Sequence, residues 1–511
     1  MREWPLTVSD APTSGMSAAD ALDGPGIAAI TAGHLVRASA RPVRRAAVDS
    51  RRVGPGMLFV ALPGEHTDGH RFLAEAVGRG AAALLVTRDL SAGELDALVA
   101  AAPDGCSIVR VADGIAALQA LAAAWRRRFD PLVVGITGSV AKTSTKEAVA
   151  TVIAERRRVL RSEGNENNEI GLPLTLLRLD RADEVAVLEM GMYVPGDIAQ
   201  LAAIARPQIG IVTAVRGVHL ERAGSIEAIE EGKGQLVEAL PAEGTAILNA
   251  DDERVRRMAR RTRARVVTYG FSEDADVTAR DVTSLGLAGM AFRLRLPGPI
   301  ERPVRVPVRG RHGVHNGLAA AAAGFAAGLD ADAIAAGLER GWSAPHRDAL
   351  RPIGPWLVLD DTYNAGPDSM AAALELLASL PGRRVAVLGE MLELGPEAPA
   401  LHRQVGALAA RSAELLLAVG EGGAAIAEGA RAAGMPTRRA LIARDLEAAL
   451  GELLARLEPG DVVLFKASRG LGLDPGVRSR RGLGLDDLVD ALERAVAGGP
   501  SPTGAHHGAA G

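Results

Sequence analysis

Residues 135–146 read Gly-Ile-Thr-Gly-Ser-Val-Ala-Lys-Thr-Ser-Thr-Lys, and an apolar run from Leu132 leads into them. A strand, a turn of small residues and a helix start leave several backbone N–H groups aimed at one point. The helix N-terminus adds partial positive charge there. Such a loop needs a strand and a crossover helix around it, so it commits this part of the chain to an α/β unit with a parallel sheet. Gly135, Gly138, Ser139, Ala141, Lys142, Thr143 and Ser144 are the candidate nucleotide-binding residues. Lys142 supplies a full positive charge, and Thr143 places a hydroxyl where a phosphate-bound magnesium would sit. The alternative is a chance strand–turn–helix with a surface lysine. The residue before Lys142 is Ala141, where glycine is usual. Glycine there gives access to positive φ and leaves room for phosphate. Every other charged part of the loop is kept, so we expect the mild case, a negative φ at Ala141.

The same alternation of short apolar runs with helical patterns extends along the 511 residues and divides them into three α/β units. The expected division is a loose extension over 1–26, a first unit over 27–130, a central unit over 131–341, a third over 342–497, and a disordered tail over 498–511. Expected strands of the central unit lie at 132–137, 185–189, 209–213, 245–248 and 265–269. An antiparallel region follows over 276–309, and an alanine-rich helix over 317–327 closes the unit. Aromatic residues make up only 3% of the chain, so small aliphatic side chains must fill the cores. A net charge of −4 gives no basic field for nucleic acid. The single cysteine, Cys106, excludes an internal disulfide framework and fits a reducing compartment. No apolar stretch has the length of a membrane span, and the N-terminus lacks the apolar core of a signal peptide. We expect a cytoplasmic enzyme, monomeric, without nucleic-acid partners or membrane insertion.

Other polar clusters sit at the ends of these runs. Glu189 closes the apolar strand at 185–189, where a carboxylate can hold magnesium beside the loop; a solvated strand-end glutamate is the alternative. Residues 165–171, Asn-Glu-Asn-Asn-Glu-Ile-Gly, include Asn167, Asn168 and Glu169. Their density suits a polar substrate, and equally a turn rich in local hydrogen bonds. Asp361, Tyr363 and Asn364 end a strand of the third unit, offering a carboxylate for a ribose and an aromatic ring for a base. Arg347 can reach charge developing on a transferred phosphate. Ser50 and Arg51 can grip a diphosphate. Taken alone, His219 is an ordinary loop histidine and Lys233 an ordinary helix-surface lysine.

In this order, the stretches 49–51 with 55–62, 135–147, 165–173, 189–191, 217–233, 249–252, 360–369, 389–395 and 466–469 resemble the Mur ligases of peptidoglycan synthesis. The Asn-Asn-Glu-Ile-Gly and Asp-Asp-Thr-Tyr-Asn runs look like the branch that adds D-alanyl-D-alanine. The Asp-Asn-Pro-Arg motif of the diaminopimelate-selecting branch is not present. The resemblance implies a central P-loop ATPase unit flanked by a small N-terminal α/β unit and a C-terminal Rossmann-like unit. It implies an ATP-dependent ligase that joins D-alanyl-D-alanine to UDP-N-acetylmuramoyl-tripeptide through an acyl phosphate. By the same resemblance, Lys142 holds the β- and γ-phosphates of ATP, and Thr143 and Glu189 bind one Mg2+. His219 binds a second together with Lys233, which matches the family's carbamylated lysine. Asn316 matches an adenine contact; Arg347, Asp361, Tyr363 and Asn364 match the third unit's share of ATP; Ser50 and Arg51 match the uridine-nucleotide segment.

The departures from the family pattern are Val140, Ala141, Gly313 in place of the first asparagine of His-Asn-x-x-Asn, and Gln235 in place of glutamate. Two alternatives stay open: a Mur-type ligase for a different amine, and a non-catalytic nucleotide-binding scaffold.

Overall fold

Runs of Val, Ile, Leu and Ala bounded by glycine, proline and acidic residues build three sheets in the computed structural model, which describes residues 21–64, 67–217, 224–468 and 484–497. The first sheet holds β1 (His34–Arg37), β2 (Ala46–Ala47), β3 (Leu58–Val60), β4 (Ala83–Val86) and β5 (Ser107–Arg110). Its order is β1-β5-β4-β3-β2, with only β1 antiparallel to its neighbour. The chain is tied down earlier than the expected extension over 1–26 allows. A helix, Gly24–Thr31, starts inside that stretch, with Asp23 accepting from the Gly26 N–H and proline in the first turn. Leu22, 5% exposed, pairs with Val43. Aspartate followed closely by proline is a helix-start signal. Residues 1–20 and the tail over 498–511 lie outside the described residues.

The central sheet comprises β6 (Leu132–Thr137), β7 (Val159–Arg161), β8 (Val185–Glu189), β9 (Ile209–Val212), β10 (Thr245–Asn249), β11 (Arg265–Gly270), β12 (Val277–Ser284), β13 (Met290–Leu296) and β14 (Ile300–Val306). Its order is β14-β13-β12-β11-β10-β9-β6-β8-β7. The strands from β6 to β12 are parallel, and β13 and β14 continue the sheet as antiparallel hairpins. The chain leaves β6 toward β8 on one side and β9 on the other. That reversal opens a crevice at the strands' C-terminal ends, where ligands of open α/β sheets bind.

The third sheet holds β15 (Ala349–Ile353), β16 (Trp356–Asp361), β17 (Arg384–Leu388), β18 (Leu415–Val419), β19 (Ala440–Ala443) and β20 (Val462–Lys466), in the order β15-β16-β20-β17-β18-β19. Only β15 is antiparallel to its neighbour.

Small residues set the packing behind the crevice. The P-loop helix, Lys142–Ile153, shares one core with the helix Gly310–Ala326, whose residues Ala319, Ala320, Ala321, Ala322 and Ala323 are all buried. That second helix begins at Gly310 rather than at 317, because its first turns carry His312, Gly313 and Asn316 and do not read as an apolar stripe. A side-chain carbon added to Gly324 would lie 2.9 Å from Val152 Cγ1, and one at Gly337 would lie 2.6 Å from Val152 Cα. Backbone meets backbone at Gly337, and the Val152 side chain fills the gap at Gly324.

Candidate active site

The loop after β6 is held from both sides. Gly138 has φ of 151°, and a Cβ on it would meet Thr213 Oγ1 at 1.8 Å. The Thr213 hydroxyl donates to the Val140 carbonyl at 2.6 Å and cannot retreat without breaking that bond. The Ser139 hydroxyl donates to the Arg216 carbonyl at 3.0 Å and accepts from the Arg216 N–H at 2.9 Å. Ala141 has φ of 65° and ψ of 3°, the left-handed region, so the expected negative φ is overturned. The chain must reverse here before the helix can begin, and alanine takes the conformation glycine would take freely. Its carbonyl still accepts from Thr145 N at 2.9 Å. Lys142 folds back over the loop, its Nζ donating to the Gly138 carbonyl at 2.8 Å. Thr143 is buried at the helix start, and Ser144 half-buried. Thr145 Oγ1 donates to Asn316 Oδ1 at 3.4 Å, which ties the P-loop helix to the buried Asn316.

Three charges gather around this loop. Burial holds the Lys142 ammonium below the ordinary lysine range; Glu189 pulls it back up and Arg347 pushes it down. Arg347, from the third unit, therefore lies within electrostatic reach of the P-loop lysine. Glu189 is 2% exposed at the end of β8. Its Oε1 accepts from Asn167 Nδ2 at 2.9 Å, whereas Oε2 is buried with no hydrogen-bond partner. Leaving such an oxygen unsatisfied costs roughly 1–3 kcal/mol or more. With the Thr143 hydroxyl, this is a hard oxygen donor set of the kind magnesium uses beside phosphates. Lys233, on the helix Ile226–Glu238, is not a surface lysine: it is 4% exposed. Burial pushes its ammonium well below the usual range, and Lys142 adds to the push. His219 lies outside the described residues.

The third unit closes the far side. The Arg347 guanidinium stacks 4.2 Å from the Tyr363 ring centroid, so this face of the ring meets a cation. The carboxylate of Asp361 is paired with Lys466 Nζ, which also donates to the Asn364 carbonyl at 3.0 Å. Burial pushes the Asp361 carboxyl up to about 6; Lys466 opposes the shift and Asp348 adds to it. Asp348 in turn meets His312 Nε2 at 2.8 Å, across the boundary with the central unit.

The first unit's candidates pair within that unit. Ser50 Oγ donates to Glu75 Oε2 at 2.9 Å, and Arg51 pairs with its neighbour Asp49 at 2.7 Å. In the loop at 165–171, Asn168 Oδ1 accepts from the N–H groups of Ile170 (3.3 Å) and Gly171 (2.8 Å), a local turn. Asn167 reaches the site through Glu189, while the Glu169 carbonyl accepts from Gln119 Nε2 at 3.1 Å. Sequence reasoning missed Arg216, His312, Asp348 and the pairing of Lys466. Two of these carried a signal: Lys466 closes an apolar strand, and His312 opens the run in which Gly313 replaces asparagine.

Family models match the chain in three segments: the Mur ligase family catalytic domain over residues 43–126, the Mur ligase middle domain over 136–324, and the Mur ligase glutamate ligase domain over 347–469. A protein of Mycobacterium tuberculosis named UDP-N-acetylmuramoyl-tripeptide--D-alanyl-D-alanine ligase is 41% identical over 460 residues, covering 83% of this chain and 89% of the relative. Its namesake in Escherichia coli is 38% identical over 443 residues, covering 84% and 92%. Among solved structures, MurF from Acinetobacter baumannii superposes with a TM-score of 0.78 at 27% identity, covering 93% of this chain and 99% of that one. MurF ligase from Thermotoga maritima in complex with ADP gives 0.73 at 29% identity, covering 89% and 99%.

Proposed function

The chain belongs to the Mur ligase family, and from that premise we propose how its residues use ATP to join D-alanyl-D-alanine to UDP-N-acetylmuramoyl-tripeptide in peptidoglycan precursor synthesis. One observation carries the reading: the half-buried Lys142 and the buried Lys233 lie within electrostatic reach of each other at a P-loop, with the unpaired Glu189 oxygen beside it.

A carboxylate and an amine do not condense in water. The tripeptide's terminal carboxylate therefore takes the γ-phosphoryl group of ATP, and the amine of D-alanyl-D-alanine attacks the acyl phosphate, expelling phosphate and forming the amide. Lys142 and Arg347 spread and neutralise the charge on the transferred group, the part of phosphoryl transfer that a protein can supply. Thr143, Glu189, His219 and Lys233 are the residues that would hold two magnesium ions. Magnesium, when bound, neutralises charge on the phosphate oxygens. Lys233 fits this set as a carbamate. Its depressed ammonium leaves a neutral amine that adds to carbon dioxide and loses a proton, turning a buried base into an anionic ligand. Asn316 contacts adenine, Asp361, Tyr363 and Asn364 complete the ATP site, and the backbone from Gly138 to Ser144 cradles the phosphates. Ser50 and Arg51 hold the uridine diphosphate end, with Asn167, Asn168 and Glu169 facing the peptide arm.

In this reading residues 27–130, with 21–26 added, bind the UDP substrate; 131–341 bind ATP; and 342–497 close over the reacting groups and exclude water. The enzyme works as a monomer in the cytoplasm. Purified protein given ATP, UDP-N-acetylmuramoyl-tripeptide and D-alanyl-D-alanine should release phosphate and form the pentapeptide product by mass spectrometry. Phosphate release only with another amine would reassign the substrate, and no ATP consumption with any amine would refute the ligase reading.

A further inference from the structure

Arg216 follows β9 and is absent from the set of catalytic and binding residues assigned above. Its backbone is pinned to the P-loop by the paired hydrogen bonds with Ser139. Its side chain is forked. Nη1 pairs with Asp252 Oδ2, and Nε donates to Asp368 Oδ2 at 3.0 Å. Asp252 is a fixed point: 3% exposed, it caps the helix Glu253–Arg257 through the N–H groups of Arg254 and Val255 and accepts from Val215 N at 3.0 Å. Asp368 belongs to the third unit, in the first turn of the helix Pro367–Ser379 just after the Asp361–Asn364 segment. Among the described residues Asp368 makes no other ion pair. One arginine thus touches the P-loop, a rigid post in the central unit, and the third unit.

We infer that Arg216 is a positioning residue: it sets the third unit against the P-loop so that Arg347 arrives beside Lys142. The planar guanidinium suits the task because it reaches two carboxylates in fixed directions, which a lysine cannot do with one point charge. The arm to Asp252 ends on a buried carboxylate and anchors the side chain. The arm to Asp368 is exposed, with 43% and 63% of the two side chains accessible, so it is weak, reversible and screened by salt. A contact that must form and release in each turnover needs those properties.

The inference rests on ATP binding at the P-loop as proposed above, so ATP binding by the unaltered protein is measured first. No binding would overturn that reading and this one together; binding isolates the test of Arg216. Steady-state kinetics then compare Asp368→Asn, Arg216→Ala, Arg216→Lys and the double variant Arg216→Ala/Asp368→Asn. Asp368→Asn should lower kcat about two- to fivefold at low salt, with Tm nearly unchanged, and the difference from the unaltered protein should fade as salt is added. Arg216→Ala should lower kcat about tenfold or more, Arg216→Lys should recover only part of that, and the double variant should be no worse than Arg216→Ala alone. Multiplying effects in the double variant, an Asp368→Asn enzyme with unchanged kcat at low salt, or a rise in KM for ATP with kcat intact would each overturn the inference.

Discussion

Ala141→Gly separates two places where backbone strain can act. Alanine at φ 65° sits where an L side chain crowds its own carbonyl, at a cost of roughly 1–2 kcal/mol that glycine does not carry. Against this, glycine frees the unfolded chain and gives back about 0.4–1 kcal/mol. The half-buried methyl belongs to neither core cluster of the central unit. The net is a stabilisation of about 0–1.6 kcal/mol, centred near 0.8, which for a unit of this size raises Tm by about 2–3 °C at the centre of the range. ATP affinity is another matter. The left-handed turn precedes the helix that carries Lys142, so the same φ is required with and without nucleotide, and the strain cancels from binding. KM for ATP should therefore change by less than about tenfold, within 1.4 kcal/mol. Scanning calorimetry with and without ATP, following the transition that ATP shifts, reads the first quantity, and initial-rate kinetics reads the second. A lowered Tm would refute the left-handed strain. A hundredfold gain in activity would show that the strain falls mainly on the nucleotide-bound state.

Lys142→Ala should lower turnover at least about a hundredfold, since a lost charge-stabilising contact is worth roughly 3 kcal/mol; near-normal ligation would remove Lys142 from the site. Lys233→Ala should be inactive and partly rescued by small added carboxylates, and isotope-labelled carbon dioxide should give a carbamate signal in the unaltered protein that the variant lacks. The pair between His312 and Asp348 predicts a pH window. Burial lowers the His312 imidazolium, but Asp348 outweighs it, so its pKa ends raised above 6.5; burial raises Asp348, but His312 outweighs it, so its pKa ends lowered below 3.8. The histidine's stabilisation is full below 6.5 and is lost as pH rises through its raised value. The aspartate's is full above 3.8 and is lost as pH falls through its lowered value. The Tm difference between the unaltered protein and His312→Gln should accordingly be widest between those limits, and a gap that keeps growing above pH 6.5 would contradict the pairing.

The strands of the central sheet were readable because strands covered on both faces are continuous apolar runs, as at Val185–Glu189, where all five residues are buried. β7, three half-buried residues at the sheet edge, has no run to read, and β19 breaks its pattern with Leu441 and Ile442 partly or largely exposed. Lys142, Thr143 and Glu189 were readable by type and by position at strand ends. The burial of Lys233 was not, since its neighbours along the helix include Glu230 and Glu231. Nor were the contacts between units, because Arg216 and Asp368 lie 152 residues apart and no local pattern marks either. The sign of φ at Ala141 misled the reading for a plainer reason: alanine tolerates both regions at a cost small enough for the rest of the loop to impose.

The small-residue contact behind the P-loop has a consequence for how the molecule can move. Alanine and glycine have no side-chain torsions to freeze, so the junction of Val152 with Gly324 and Gly337 forms with little loss of side-chain entropy. For the same reason it has almost no alternative rotamers to adopt. Sliding the P-loop helix would press its backbone at Val152 onto Gly337 of the helix Ala331–Arg340, and the Val152 side chain, stiff at χ1, onto Gly324 of the helix Gly310–Ala326. The helix that begins at Lys142 and the two helices packed on it therefore travel as one piece. Nucleotide arriving at the loop cannot be accommodated by shifting one against the other. The give must come from the short 342–345 segment and the exposed polar contacts between units.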